Sequence, residues 1–406
     1  MGEGRAALVL TGGGARAAYQ VGALLAIREV WGRRPENPFP IICGTSAGAV
    51  NAAALAVFSA DFDEAVRKLA YIWRNFTIDQ VYRADTLAIA SSVMRWGSAL
   101  FLGWLIHQAP RSLLDNSPLR ALLEAQLDFG AIDRSIAAGH LRAVSITASG
   151  YTSGESLAFF QGSTDLHAWR RAQRVGLRTR LTVDHLLASS AIPFVFPAIR
   201  INREYFGDGS MRQLAPISPA IHLGAERILV IAGGRRSEEA RQRTDAYPSP
   251  AQVAGHALSS IFLDGLSMDL ERLERINATV TALAPEHRIA SGILLKPIET
   301  LVIAPSQRLD YLAIRHRASL PRALRLALRG VGATRKNGSV LLSYLLFERA
   351  YTRSLMDLGY RDAMSRRAEL ASFLRLDARR AAVPCRAVAA EEATGAKNHS
   401  QKASDI

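Results

Sequence analysis

Three short stretches of the chain carry residue types that could do chemistry. The first is Gly44-Thr45-Ser46-Ala47-Gly48. Ile41-Ile42-Cys43 in front of it reads as a buried strand, and the Ala-rich residues behind it read as a helix. Glycines two places either side of a serine allow a sharp turn that holds the hydroxyl out beyond the strand, where a nucleophile must stand. The helix that follows aims its free N–H groups and the positive end of its dipole at the same spot. A serine that merely caps the helix would use the same residues, so the motif needs support from elsewhere.

The second stretch is Thr11-Gly12-Gly13-Gly14-Ala15-Arg16, which follows the apolar residues 6–10. Three glycines after a strand leave backbone N–H groups uncovered at a helix start, a seat for a phosphate or for the oxyanion of a tetrahedral intermediate. Gly12, Gly14 and Ala17 also match the spacing of a dinucleotide-binding turn, which wants an Asp or Glu at the end of the next strand for the ribose. That strand ends Ile41-Ile42-Cys43-Gly44 and offers no acid, so a dinucleotide-binding protein is the weaker alternative. The third stretch is Gly207-Asp208-Gly209; alone, a carboxylate between glycines is an ordinary turn. Asp, Glu and His do not cluster at ligand spacing, so no metal and no cofactor is expected. A Ser-Asp-His order would need a histidine after Asp208. His222, His256, His287, His316 and His399 follow, none in a recognisable loop signal.

In that order along the chain, Gly12-Gly13-Gly14-Ala15-Arg16, Gly44-Thr45-Ser46-Ala47-Gly48 and Asp208-Gly209 resemble the bacterial patatin-like phospholipases. Tyr19-Gln20-Val21-Gly22 behind the glycine turn agrees, as does Ala188-Ser189-Ser190-Ala191-Ile192-Pro193 with Phe196-Pro197 ahead of the aspartate. With Leu214-Ala215-Pro216-Ile217 behind it, the likeness covers residues 5–232, somewhat over half of the chain. The resemblance implies a lipid acyl hydrolase of the phospholipase A or esterase type, with Ser46 as acyl nucleophile and Asp208 as its base. It puts Gly12, Gly13, Gly14 and Arg16 in the oxyanion and substrate-binding site, and it makes Gly44, Gly48 and Gly209 the motif glycines. The family commonly has Gly where this chain has Ala17, which keeps a catalytically weak, lipid-binding or regulatory member as an alternative. A dyad of this kind is chemically coherent. A carboxylate with a pKa of about 3.9 is a poor base, but burial raises it, and an oxyanion hole absorbs charge as the attack proceeds.

Strand, glycine turn and helix occur twice before residue 60, which calls for parallel strands with crossover helices. The expected fold is therefore α/β: a patatin-like three-layer sandwich around a mostly parallel sheet, with a largely helical C-terminal region. The catalytic domain is expected over residues 5–234 with a helical insertion at 61–138. A mainly helical region at 251–382 holds one strand candidate at 300–304, and residues 384–406 read as a disordered tail. Length supports this: 406 residues, 49% apolar and 21% charged, are ample for a large core. Two cysteines exclude a disulfide scaffold.

The formal charge of +14 favours anionic partners, phospholipid headgroups among them. Residues 96–106 are apolar between tryptophans but too short to span a bilayer, and residues 320–329 set leucines opposite arginines as a membrane-surface helix would. Arg170, Arg171, Arg174, Arg178 and Arg180 beside Trp169 form a cluster that could hold phosphates. Aromatic interleaving and nucleic-acid motifs are missing, so no nucleic-acid partner is expected; the oligomeric state is not legible. The N-terminus reads as neither a secretion signal nor a lipidation motif, so the expectation is a cytoplasmic protein with peripheral membrane contact.

Overall fold

A computed structural model describes residues 5–83, 112–234, 247–284, 287, 295–330, 332–335 and 338–376. The apolar stretch 96–106 and the tail 384–406 lie outside these residues.

The first strand, β1 (Ala6–Leu10), is buried along its whole length because it runs through the middle of the sheet. Its even residues Leu8 and Leu10 join one apolar layer and its odd residues Ala7 and Val9 the other, as the two-residue period of a strand requires. The next strand, β2 (Ile41–Thr45), pairs with it in parallel, Val9 opposite Cys43. Between them run a short 3-10 turn, Gly14–Ala17, and α1 (Ala18–Val30). After β2 come α2 (Ala47–Val57) and α3 (Phe62–Arg74), the latter capped by Asp61, whose carboxylate accepts the N–H of Glu64 at 2.8 Å.

The helices Ser117–Gln126 and Gly130–Ala137 lead back to the sheet. There β3 (Ala143–Gly150) adds in parallel beside β2, and β4 (Ser156–Gly162) returns antiparallel. Next come β5 (Trp169–Arg171) and β6 (Arg174–Arg178), then β7 (Ile199–Ile201) and β8 (Glu204–Asp208), and finally β9 (Arg227–Ile231) and β10 (Glu299–Ile303). The ten strands form one sheet in the order β10-β9-β1-β2-β3-β4-β6-β5, with β8 also on β3 and β7 on β8. β10, β9, β1, β2 and β3 are mutually parallel. Helices cover both faces: α1, α2, α3 and the C-terminal helices on one, and the helices Ser218–His222 and Gly265–Ala282 on the other. This is the mostly parallel, layered α/β architecture that the repeated strand–turn–helix pattern implied.

Two features were not visible in the pattern. The arginine-rich stretch after Trp169 is a hairpin, β5 antiparallel to β6. Its strands lie at the end of the sheet, where a charged side chain can face water, so the apolar alternation that marks a strand is weak. Asp208 closes β8 and does not float in a turn; its register opposite Ala148 of β3 fixes where the carboxylate stands. In residues 320–329, Leu320, Leu324 and Leu328 are buried in the core, so the stripe that a membrane would meet packs inside the protein.

Candidate active site

Ser46 stands where the parallel sheet delivers it, at the carboxyl end of β2 and the start of α2. Its backbone has φ 55° and ψ −130°, a conformation that costs a non-glycine residue of the order of 1–3 kcal/mol. The surroundings hold it there. A β-carbon on Gly44 would lie 2.5 Å from the Gly48 carbonyl oxygen, and one on Gly48 would collide with the carbonyl oxygens of Leu10 and Thr11. Helix α2 therefore begins hard against the end of β1, and only glycine admits that approach. Ser189, from the helix Val183–Ser189, completes the hold. Its hydroxyl accepts the Ser46 N–H at 2.8 Å and donates to the Thr147 carbonyl at 2.6 Å.

The Ser46 hydroxyl donates to Asp208 Oδ2 at 2.6 Å, although 162 residues separate the two. Asp208 Oδ1 accepts the N–H of Ser210 at 2.9 Å, and the Asp208 N–H is held by the Ala191 carbonyl at 2.9 Å. Both side chains are about 1% exposed. Burial pushes the Asp208 carboxyl up to about 6, against a smaller opposite pull from the hydrogen bonds of Ser46 and Ser210. A carboxylate with that pKa is still ionised at neutral pH and is a far better proton acceptor than an exposed aspartate. No described histidine bonds to Ser46 or Asp208. His222 packs against Trp169 with ring centroids 4.8 Å apart, and His316 shares a hydrogen bond with Ser354.

The glycine turn meets the same place: Gly14 and Ser46 line one apolar cavity walled by Trp73, Phe76, Phe196 and Phe347. Gly14 has φ 54°, and a β-carbon there would strike the Tyr344 carbonyl oxygen. Arg16 is buried and turned toward the C-terminal helix Ser339–Leu345. Its Nε and Nη2 donate to the Ser343 hydroxyl at 2.9 and 2.7 Å, and its guanidinium lies 4.0 Å from the centre of the Tyr344 ring. Ala17, where the family commonly has glycine, buries its methyl in the core, and its carbonyl accepts from Asn51 at 3.2 Å.

Ser189, Tyr344 and Phe347 carry no role in the sequence reading. Ser189 stands in a quoted motif, but nothing local says that it reaches Ser46, 143 residues away. Among the described residues, no three His, Cys, Asp or Glu side chains gather as a metal site, and no helix is long and apolar enough to cross a membrane.

Comparison with solved structures finds VipD from Legionella pneumophila at 15% identity, covering 88% of this chain and 67% of that one, with a TM-score of 0.32. It also finds full-length ExoU in complex with SpcU, from the type III secretion system of Pseudomonas aeruginosa, at 15% identity, covering 83% and 70%, with a TM-score of 0.27. No curated protein matches the chain. The decisive comparison is with family models: that of the patatin-like phospholipases matches residues 8–221, over half of the chain, and spans Gly12, Ser46 and Asp208 alike. The chain thus belongs to the patatin-like phospholipase family, whose members are lipid acyl hydrolases.

Proposed function

We propose that this protein cleaves carboxylic ester bonds of lipids through an acyl-Ser46 intermediate, with Asp208 as the only side-chain base. The observation that carries the reading is the 2.6 Å hydrogen bond from Ser46, which lines an apolar cavity, to a buried Asp208 whose pKa burial has raised. The cavity's largely aromatic and aliphatic wall suits the hydrocarbon of an acyl chain. Ser46 Oγ attacks the ester carbonyl carbon as Asp208 Oδ2 takes its proton. The carbonyl oxygen becomes an oxyanion that the backbone N–H groups of Gly12, Gly13 and Gly14 receive, helped by the N-terminal end of α2. Collapse expels the alcohol or lysolipid, which leaves with the proton from Asp208. Water then attacks the acyl-serine and gives up a proton to Asp208; as the second tetrahedral intermediate collapses, Asp208 returns that proton to Ser46 Oγ, releasing the fatty acid and restoring the Ser46 hydroxyl and the Asp208 carboxylate.

Arg16 has a share in this reading as a residue that shapes the glycine turn: its bonds to Ser343 and Tyr344 tie the turn to the C-terminal helices. Membrane contact through the positive charge would bring the enzyme to its substrate. The domain reading, residues 5–234 catalytic and 251–382 a helical region, remains part of the proposal, with Phe347 and Tyr344 as the points where the second serves the first.

The test is labelling and turnover. A serine-directed fluorophosphonate and a short-chain nitrophenyl ester should both report on Ser46, and Ser46→Ala should lose both signals while keeping its fold. Labelled or active Ser46→Ala would overturn the assignment. A wild-type protein that binds lipid but neither labels nor turns over would favour the lipid-binding alternative.

A further inference from the structure

The motif Tyr19-Gln20-Val21-Gly22 lies just behind the glycine turn, and its residues do different things. Tyr19 and Gly22 serve packing. The Tyr19 hydroxyl donates to Asp362 at 3.0 Å, and a β-carbon on Gly22 would strike the Met356 carbonyl oxygen, so α1 lies directly on the helix Arg349–Ser365. Gln20 enters another set of contacts. Its amide nitrogen donates to the Thr11 carbonyl at 2.7 Å and to the Ile231 carbonyl at 3.4 Å, and its amide oxygen accepts from Asn51 Nδ2 at 3.0 Å. Asn51 Nδ2 also donates to the Ala17 carbonyl at 3.2 Å, and Asn51 Oδ1 accepts the Trp73 indole N–H at 2.8 Å.

The polarity of this chain of bonds is fixed from both ends. An indole N–H only donates, so it demands the amide oxygen of Asn51; backbone carbonyls only accept, so they demand the amide nitrogen of Gln20. Asn51 Nδ2 and Gln20 Oε1 are then left facing each other as donor and acceptor. Five hydrogen bonds use every side-chain N–H of Gln20, Asn51 and Trp73. Gln20 and Asn51 are both 0% exposed. Turning either amide over would set oxygen against oxygen with no water to intervene, so the chain specifies one arrangement of the elements it joins.

Those elements meet at the site. Thr11 leads into the glycine turn, and Ala17 closes the 3-10 segment Gly14–Ala17 at its far end. Thr11 is held a second time, its hydroxyl accepting the Gly233 N–H at 2.9 Å. Asn51 belongs to α2, the helix that starts directly behind Ser46, and Trp73 stands in the wall of the cavity that Ser46 and Gly14 line. Gln20 thus fastens the entry of the turn, and Asn51 its exit, to the helix that Ser46 leads into.

We propose that Gln20 and Asn51 are positioning residues for ester hydrolysis, holding the glycine turn where its N–H groups receive the oxyanion formed at Ser46. This rests on the acyl-Ser46 reading. The two amides act through the turn and touch no reacting atom. A misplacement of about 1 Å is enough to cost about 10²-fold in rate, and the loss falls on kcat because the acyl cavity keeps its shape.

Kinetics on nitrophenyl acetate test this, at a temperature where denaturation curves show each variant fully folded. Wild-type turnover that Ser46→Ala abolishes establishes the reading beneath the proposal; without it both fall. Gln20→Met keeps the length of the side chain and removes its amide. It should lower kcat about 10-fold or more and leave KM within about 2-fold. Trp73→Phe keeps an aromatic ring in the cavity wall and removes the N–H at the other end of the chain. It carries the test if Gln20→Met does not fold, and its kcat should fall about 3-fold or more. Asn277→Ala is the control: it removes an amide that bridges the backbone N–H and carbonyl of Ile298 on the opposite face of the sheet, and it should leave kcat unchanged. Because Gln20 acts through the turn, adding Gln20→Met to Gly13→Ala should cost much less than Gln20→Met alone. With Ser46-dependent turnover in hand, a folded Gln20→Met at wild-type kcat overturns the positioning role and leaves the hydrolase reading standing. The same follows from a wild-type kcat in Trp73→Phe, an equal loss in Asn277→Ala, or fully multiplicative losses with Gly13→Ala.

Discussion

The Ser189 hydroxyl accepts the backbone N–H of Ser46 at 2.8 Å, so the turn that presents Ser46 is fastened from a helix 143 residues further along the chain. Ser189 in turn donates to Thr147 of β3, which makes it a rivet between helix, sheet and turn. Ser189→Ala leaves a buried N–H without an acceptor, at a cost of about 1–3 kcal/mol. Chemical denaturation should show that loss. Ester turnover should drop in kcat with KM little changed, because Ser46 and not the acyl cavity is disturbed. An unchanged kcat would mean that the backbone of Ser46 holds its shape unaided.

The positive φ of Ser46 sets up a comparison between two variants that the proposed mechanism expects to be inactive. Ser46→Ala keeps the β-carbon and its strain; Ser46→Gly removes both. Each loses the bond to Asp208, so that loss cancels between them. The glycine variant should be the more stable by about 1 kcal/mol or more, seen in the denaturation midpoint. Equal midpoints would show that the turn is relaxed in solution.

Asp208 ties activity to stability through pH. Its folded-state pKa of about 6 lies above the ordinary 3.8, so the folded protein holds this proton more tightly than the unfolded chain. The resulting stability is complete below about pH 4 and is lost as pH rises through about 6; from pH 7 upward ionised Asp208 costs the fold roughly 3 kcal/mol. The base must be ionised to work, so kcat/KM should rise across the same window as stability falls. Asp208→Asn should abolish turnover at every pH. The difference in stability between wild type and this variant should shift toward the variant between pH 4 and pH 7. A flat difference would refute the raised pKa.

The glycine turn separates folding from catalysis at adjacent positions. A β-carbon on Gly13 meets only the Arg16 β-carbon at 3.4 Å and Gly233 beyond, so Gly13→Ala should fold. If the turn receives the oxyanion, that variant should lose about 10²-fold or more in kcat. Gly14→Ala meets both a positive φ and the Tyr344 carbonyl, and should lose stability before anything can be said of its activity. Thermal melts alongside kinetics check both. Full activity in a folded Gly13→Ala would remove the turn from the mechanism.

Much of this protein is written locally. Residues 6–10 and 41–43 are continuous apolar runs, each leading into a glycine turn, because strands buried on both faces need no polar alternation. The order of Gly12, Ser46 and Asp208 along the chain carried the family, since each motif is a backbone requirement that only a few residue types can meet. What the tertiary structure alone decided lies in contacts that sequence distance hides. Ser189 reaches Ser46, and Arg16 reaches Ser343, 327 residues away. The proposed role of Asp208 as a base depends on burial that no residue type announces. Likewise, five arginines near Trp169 read alike in sequence, and only the folded positions of Glu155 and Asp133 pair two of them, Arg170 and Arg180, with a carboxylate. Propensity and periodicity report on the few neighbours a residue has along the chain. Desolvation and charge pairing are set by neighbours through space, and these exist only once the sheet has brought β2, β3 and β8 together.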